Sequence, residues 1–188
     1  MFNQNKILLI VFALTFTVHA QIYVSAALSS DHFDHISNYS SASGFVVGLS
    51  YQLFAKSLVS FEYKNSTTSL NVATPQGSDN ISTRIHDFAM IYGYNLIENF
   101  YSVNLQPIIG ITVKNIYRGS YTVNLGAIGN RTINSAYDNL SGLLLGLKIN
   151  KWIGDRINLS IRPQFSLYRS SLINRMFSIA GGIGVRIL

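Results

Sequence analysis

The sequence predicts an all-β protein, eight antiparallel strands closed into an up-and-down barrel that crosses a membrane. Three observations carry this reading. Long stretches alternate apolar and polar residues with period two, the pattern of a ribbon that is greasy on one face only. The connections between those stretches alternate long and short. Charged residues make up only 12% of the 188 while apolar ones reach 48%, about half the charge a soluble domain usually carries.

The first twenty residues are set apart. Lys6, an apolar run from Ile7 to Val18, and Val18-His19-Ala20 before Gln21 follow the plan of a secretory signal: basic start, short greasy middle, small-residue cleavage site. Residues 1–20 are therefore expected to be removed, leaving 21–188 as one barrel domain. No later stretch approaches the roughly 20 continuous apolar residues of a spanning helix. Cysteine is absent, so no disulfide or thiolate chemistry is available.

Eight segments justify the strand count. The clearest is Tyr101 to Lys114, where Tyr101, Val103, Leu105, Ile109, Ile111 and Val113 alternate with Ser102, Asn104, Gln106, Gly110, Thr112 and Lys114. The others are Gln21 to Ser29, Gly44 to Leu53, Leu58 to Lys64, Ile81 to Asn95, Gly142 to Asn150, Ile157 to Tyr168 and Phe177 to Leu188. In Ile81 to Asn95 the apolar parity changes, from Ile81 and Ile85 to Phe88, Met90, Tyr92 and Tyr94; a β-bulge near His86 or Asp87 would reconcile the two halves. Pro107 and Pro163 each remove a ladder donor, so a bulge or irregular pairing is expected at both.

Short connections fall near Ala55, Glu98 and Gly154, and longer polar ones at Ser30 to Ser43, Asn65 to Asn80, Asn115 to Asp138 and Arg169 to Asn174. Antiparallel strands joined in this order gather the long loops at one rim, as transmembrane barrels do with their external loops. Tyr51, Phe54, Tyr94, Phe100, Tyr101 and Trp152 collect beside the short turns, and Phe45, Tyr63, Phe165 and Phe177 towards the long loops. Two such bands suit the two bilayer interfaces.

A soluble lipocalin-like carrier would show the same alternation turned inside out, with a polar face rich in Lys and Glu. Here that face is mainly Gly, Ser, Asn, Gln and Thr, which suits the crowded interior of an eight-stranded barrel. Its few charges, Glu62, Asp87, Lys148, Arg162 and Arg186, are expected to pair in the lumen, because an isolated buried charge is costly. The network is expected to centre on Glu62, with Arg162 or Lys148 as partner. Lys64 and Lys114 fit either the lumen or a wet rim.

In its eight alternating segments and its alternating loop lengths, the chain from Gln21 to Leu188 resembles the small outer-membrane barrels that include OmpA-type barrel domains and the OmpX/Ail-type surface proteins. That resemblance implies a monomer in the bacterial outer membrane, surrounded by lipid and lipopolysaccharide, with a side-chain-filled interior. It also implies work done through the external loops: adhesion, resistance to host defences, or envelope integrity. Host or surface ligands would meet loops 30–43, 65–80 and 115–138. Such barrels commonly close on an aromatic residue, where this sequence reads Arg186-Ile187-Leu188.

An alternative within the same architecture is a lipid A-modifying enzyme. Asp31, His32, Asp34 and His35 in the first loop and Ser78 and Asp79 in the second could supply a base and a nucleophile at the rim. His32 and His35 are also weak candidates for a divalent metal. No spacing among them is diagnostic, so the expectation is no catalysis, cofactor or resident metal. The net charge of +6 is dispersed rather than clustered with aromatics, and nucleic acid is not an expected partner.

Overall fold

The computed structural model describes residues 21–34, 39–54, 56–74, 77–100, 103–124, 126, 129–170 and 173–187. The expected signal segment, His35 and Tyr101 lie outside them. Eight long strands form the wall: β1 (Ile22–Phe33), β2 (Ala42–Phe54), β3 (Ser57–Thr74), β4 (Gly77–Tyr94), β6 (Val103–Arg118), β9 (Ala136–Ile153), β10 (Ile157–Tyr168) and β11 (Arg175–Arg186). Three short strands interrupt the count: β5 (Ile97–Phe100) in the connection before β6, and β7 (Tyr121–Asn124) and β8 (Asn130–Ile133) pairing in the loop between β6 and β9. Every neighbour is antiparallel, and β1 pairs with β11 from Tyr23↔Arg186 to Phe33↔Met176. The sheet therefore closes on itself, and closure leaves no backbone edge to be desolvated in lipid.

Alternation then decides what each face meets. Leu28, Phe45, Leu49, Phe61, Met90, Ile111, Leu145, Ile161 and Ile183 all point outward and are exposed. A contiguous apolar girdle of this extent would drive association in water; against lipid it is the wall. The opposite parity holds Ser50, Ser60, Gln106, Thr112, Asn150, Gln164 and Ser178, all buried inside. This places the apolar face outside and the polar face inside, the reverse of a soluble carrier. One consequence is measurable. Ile111, 57% exposed in the middle of the girdle, should tolerate leucine, whereas Ile111→Arg should lose about 2–4 kcal/mol of stability in urea unfolding from lipid or detergent.

Strands β3, β4 and β9 each run 18 residues, well past the roughly 9–11 that a bilayer requires. The surplus projects beyond the girdle and corrects the expected loops. Of the stretch Asn65 to Asn80, residues 65–74 and 77–80 are strand rather than loop: β3 and β4 stay paired from Ser57↔Tyr94 to Thr74↔Gly77. Likewise β1 continues to Phe33, β2 begins at Ala42, β6 reaches Arg118 and β9 starts at Ala136. Short connections separate β2 from β3 and β9 from β10 as expected, but Glu98 lies within β5, the short strand between β4 and β6. Gly154 turns the chain between β9 and β10 with φ of 63°, a conformation that costs glycine little.

The bulge expected near His86 or Asp87 is absent, since β4 keeps one register against both β3 and β6 through these residues. Ile81, Thr83 and Ile85 face inward with Asp87, Ile91 and Gly93; the parity never changes, only the environment. Above the girdle water touches the outside, so Arg84 and Ser82 face out, and the dry interior takes the isoleucines. Pro107 likewise sits in an unbroken register with β9, opposite Leu147. At Pro163 the β9 pairing skips Arg162 and Pro163 but resumes in the same register at Gln164↔Gly146. Register shifts occur instead low on the wall, between Gln52 and Phe54 and between Ile97 and Phe100.

Candidate functional site

Side chains fill the lumen in layers. At the loop end Ile85, Ile116, Leu140, Tyr168, Ile173 and Met176 form a buried cluster, with Phe33 and Tyr39 packed against it. These side chains form an apolar layer inside the barrel at the loop end.

Beneath this layer lies a four-membered charge chain. Lys64 Nζ is 2.9 Å from Asp31 Oδ1 and 3.7 Å from Asp87 Oδ2, and Lys114 Nζ is 3.3 Å from the same Asp87 oxygen. Two acids match two bases, which is the condition for burying charges at tolerable cost. Thr112 donates a hydrogen bond to Asp87. Lys114, fully buried, also directs its ammonium at Met176 Sδ (3.0 Å) and over the Tyr168 ring at 5.3 Å. Both lysines that fitted lumen or rim are thus in the lumen. Asp31 is the member missing from the expected network: it lies in a Ser-Ser-Asp-His run that reads as loop. Its parity, shared with Tyr23, Ser25, Ala27 and Ser29, is the signal that could have found it.

A second centre lies lower. Arg162 donates to Glu62 in a buried ion pair, and Lys148 is close enough to feel both charges. Arg186 does not join either group. It sits at the terminal rim, donating to Gln21 (3.3 Å) and to the Asp155 carbonyl, with its guanidinium 5.8 Å from the Trp152 ring centre. Trp152 is consequently not an interface aromatic. It points into the barrel mouth and packs against Tyr23 at 5.6 Å, because it shares the inward parity of Lys148 and Asn150 on β9. Phe54 and Tyr94 are exposed on the outer face and Tyr51 is half-buried. Phe100 lies in β5.

Of the rim residues considered for chemistry, Asp31 and His32 are adjacent on β1 and so face opposite sides of the wall. The first is held by Lys64; the second is on the outside with Ser41 Oγ at 3.0 Å from Nδ1. Ser78 and Asp79 lie in the upper part of β4, opposite Ala73 and Val72. Among the described residues no three His, Cys, Asp or Glu side chains converge as a metal site would require.

Girdle, closure and filled lumen together define the class: this is a small eight-stranded outer-membrane β-barrel fold. No protein-family model matches the chain, and no curated protein matches it in sequence. Solved structures do match. A major outer membrane protein from Thermus thermophilus aligns over 88% of this chain and 99% of its own, with TM-score 0.66 at 9% identity. OprG from Pseudomonas aeruginosa aligns over 89% and 95%, with TM-score 0.61 at 7% identity. Ail, the attachment invasion locus protein of Yersinia pestis, solved in complex with the heparin analogue sucrose octasulfate, aligns over 89% and 97%, with TM-score 0.56 at 14% identity.

Proposed function

We propose that the barrel displays its external rim for contact with polyanionic ligands at the cell surface. The observation that carries this reading is the distribution of charge at the loop end. Arg84, Arg131, Arg169 and Arg175 are all exposed there, while Asp34 and Asp138 are only partly exposed and no described acidic side chain at this end is fully exposed. Arg118 is matched by Asp138 at 2.6 Å, and Lys64 and Lys114 are consumed by the buried network. The four exposed guanidiniums remain. Planar guanidinium is the side chain best shaped for bidentate contact with sulfate or phosphate oxygens.

Arg169 and Arg175 stand close to the outward residues Leu167 and Phe177 on neighbouring strands. This position supports a level at the end of the apolar wall, where acyl chains would give way to head groups and their phosphates. Arg84 and Arg131 stand on the extensions beyond, β4 and β8, and are available to a soluble or host-borne ligand. The Ail complex with a heparin analogue is a precedent for a sulfated ligand on this fold.

Replacement of all four arginines by serine should leave heat-modifiable folding intact and weaken retention on immobilised heparin by roughly 10- to 30-fold, at about 0.3–0.5 kcal/mol per exposed contact. Retention should also fall steeply with salt, because exposed charges are screened. Unchanged retention in the fourfold variant would remove the proposal.

A further inference from the structure

We infer that the lower lumen is a binding site for a small inorganic anion of chloride size, open to the periplasmic mouth and anchored by Lys148. The inference rests on where unbalanced charge sits. In the upper lumen Asp31 and Asp87 offset Lys64 and Lys114. Lower down, Glu62 is taken by Arg162, and Lys148 is the third charge of the group, with a repulsive guanidinium as neighbour. The lower lumen therefore carries one cation in excess. Next along the path to the mouth stands a further cation, Arg186.

The space lies beside the excess charge. A cavity of about 50 Å³ is lined by Lys148, Gln106, Asn150, Asn158, Ser25 and Trp152, among others, several times the roughly 10–15 Å³ that one water needs. A smaller one of about 20 Å³, lined by Glu62, Arg162 and the same Lys148, adjoins it above. Lys148 thus borders both. The larger cavity reaches Gln52, Leu58 and Asn95, residues beside the short turns, so its opening is on the side away from the apolar layer. Its walls offer donors in the Ser25 hydroxyl and the carboxamide N–H groups of Gln106, Asn150 and Asn158, while the Asn150 Oδ1, an acceptor, has no hydrogen-bond partner. Arg162 Nε is likewise buried and unsatisfied. A cation and hydroxyl and N–H donors around one cavity favour a compact anion, because a lumen lysine without its own counter-charge is costly.

The test uses the refolded barrel in a zwitterionic detergent and compares chloride with gluconate, an anion too large for the cavity, at equal ionic strength. The thermal midpoint is expected to be higher in chloride by about 3–5 °C, and the difference should vanish in Lys148→Met and survive in Lys148→Arg. Crystals soaked in bromide should show an anomalous peak beside Lys148 Nζ that Lys148→Met abolishes. Equal midpoints in the two salts, a difference that persists in Lys148→Met, or no bromide beside Lys148 would each overturn the inference. If Lys148→Met does not fold, the wild-type salt comparison and the bromide map decide alone.

Discussion

Asp87→Asn should lower the unfolding free energy of the barrel by about 3–5 kcal/mol. Asp87 is the shared acid of the upper lumen: Lys114 lies at 3.3 Å, Lys64 at 3.7 Å, and Thr112 donates to it. Removing its charge leaves two buried ammoniums facing one remaining carboxylate, Asp31, which reaches Lys64 but makes no ion pair with Lys114. Lys114 is fully buried under the apolar cluster and has no water to retreat to. The cost is therefore the penalty of an uncompensated charge rather than the value of one ion pair. A double variant separates the two. Asp87→Asn with Lys114→Met removes the stranded cation as well and should recover much of the loss, since an apolar replacement of a buried pair is often neutral. Urea unfolding followed by the fluorescence of Trp152, the one tryptophan in the sequence, reads both variants. A double variant no more stable than Asp87→Asn alone would show that the charges are not coupled as their distances indicate.

The same residues explain what can and cannot be read from sequence. Strand number, the girdle and the Glu62–Arg162 neighbourhood follow from period-two alternation, because side chains on a strand have only two directions. Ile81 and Ile85 defeat that reasoning wherever apolar is taken to mean lipid-facing. A barrel taller than its membrane inverts its pattern above the head groups, polar outside and apolar inside, and one uninterrupted parity then looks like a slipped one. Asn65 to Asn80 misleads for a related reason: Asn, Ser and Thr with Pro75 read as loop, yet a two-stranded extension held by backbone pairing needs no apolar face in water. Trp152 is misplaced when residue type is weighed above parity. Asp87 and Lys114 are cross-strand partners, and such a pair becomes visible only when register is known, which depends on the turns and not on the pattern along either strand.

Gly182→Val should prevent the barrel from closing, while Gly181→Val one position away should be nearly silent. Gly182 faces the lumen on β11 and lies opposite Ala27 on β1 and Ser160 on β10. A methyl group there would overlap the Ala26 carbonyl oxygen and the Ala27 side chain, and would stand 2.7 Å from Ala27 Cα. Those are mostly backbone atoms of the adjoining strand, so relief requires the strands to part rather than a side chain to rotate. Overpacking a lumen usually costs about 1–3 kcal/mol. Here it falls on the seam joining the first and last strands, the contact of greatest sequence separation and the one on which closure depends. Gly181 points outward, is exposed, and has nothing within 4 Å of an added Cβ; a valine there adds apolar surface to a wall already facing lipid. On unheated SDS gels Gly181→Val should keep the fast-migrating folded band and Gly182→Val should lose it. Equal folded fractions for the two would mean that β1 and β11 do not approach as closely as the seam requires.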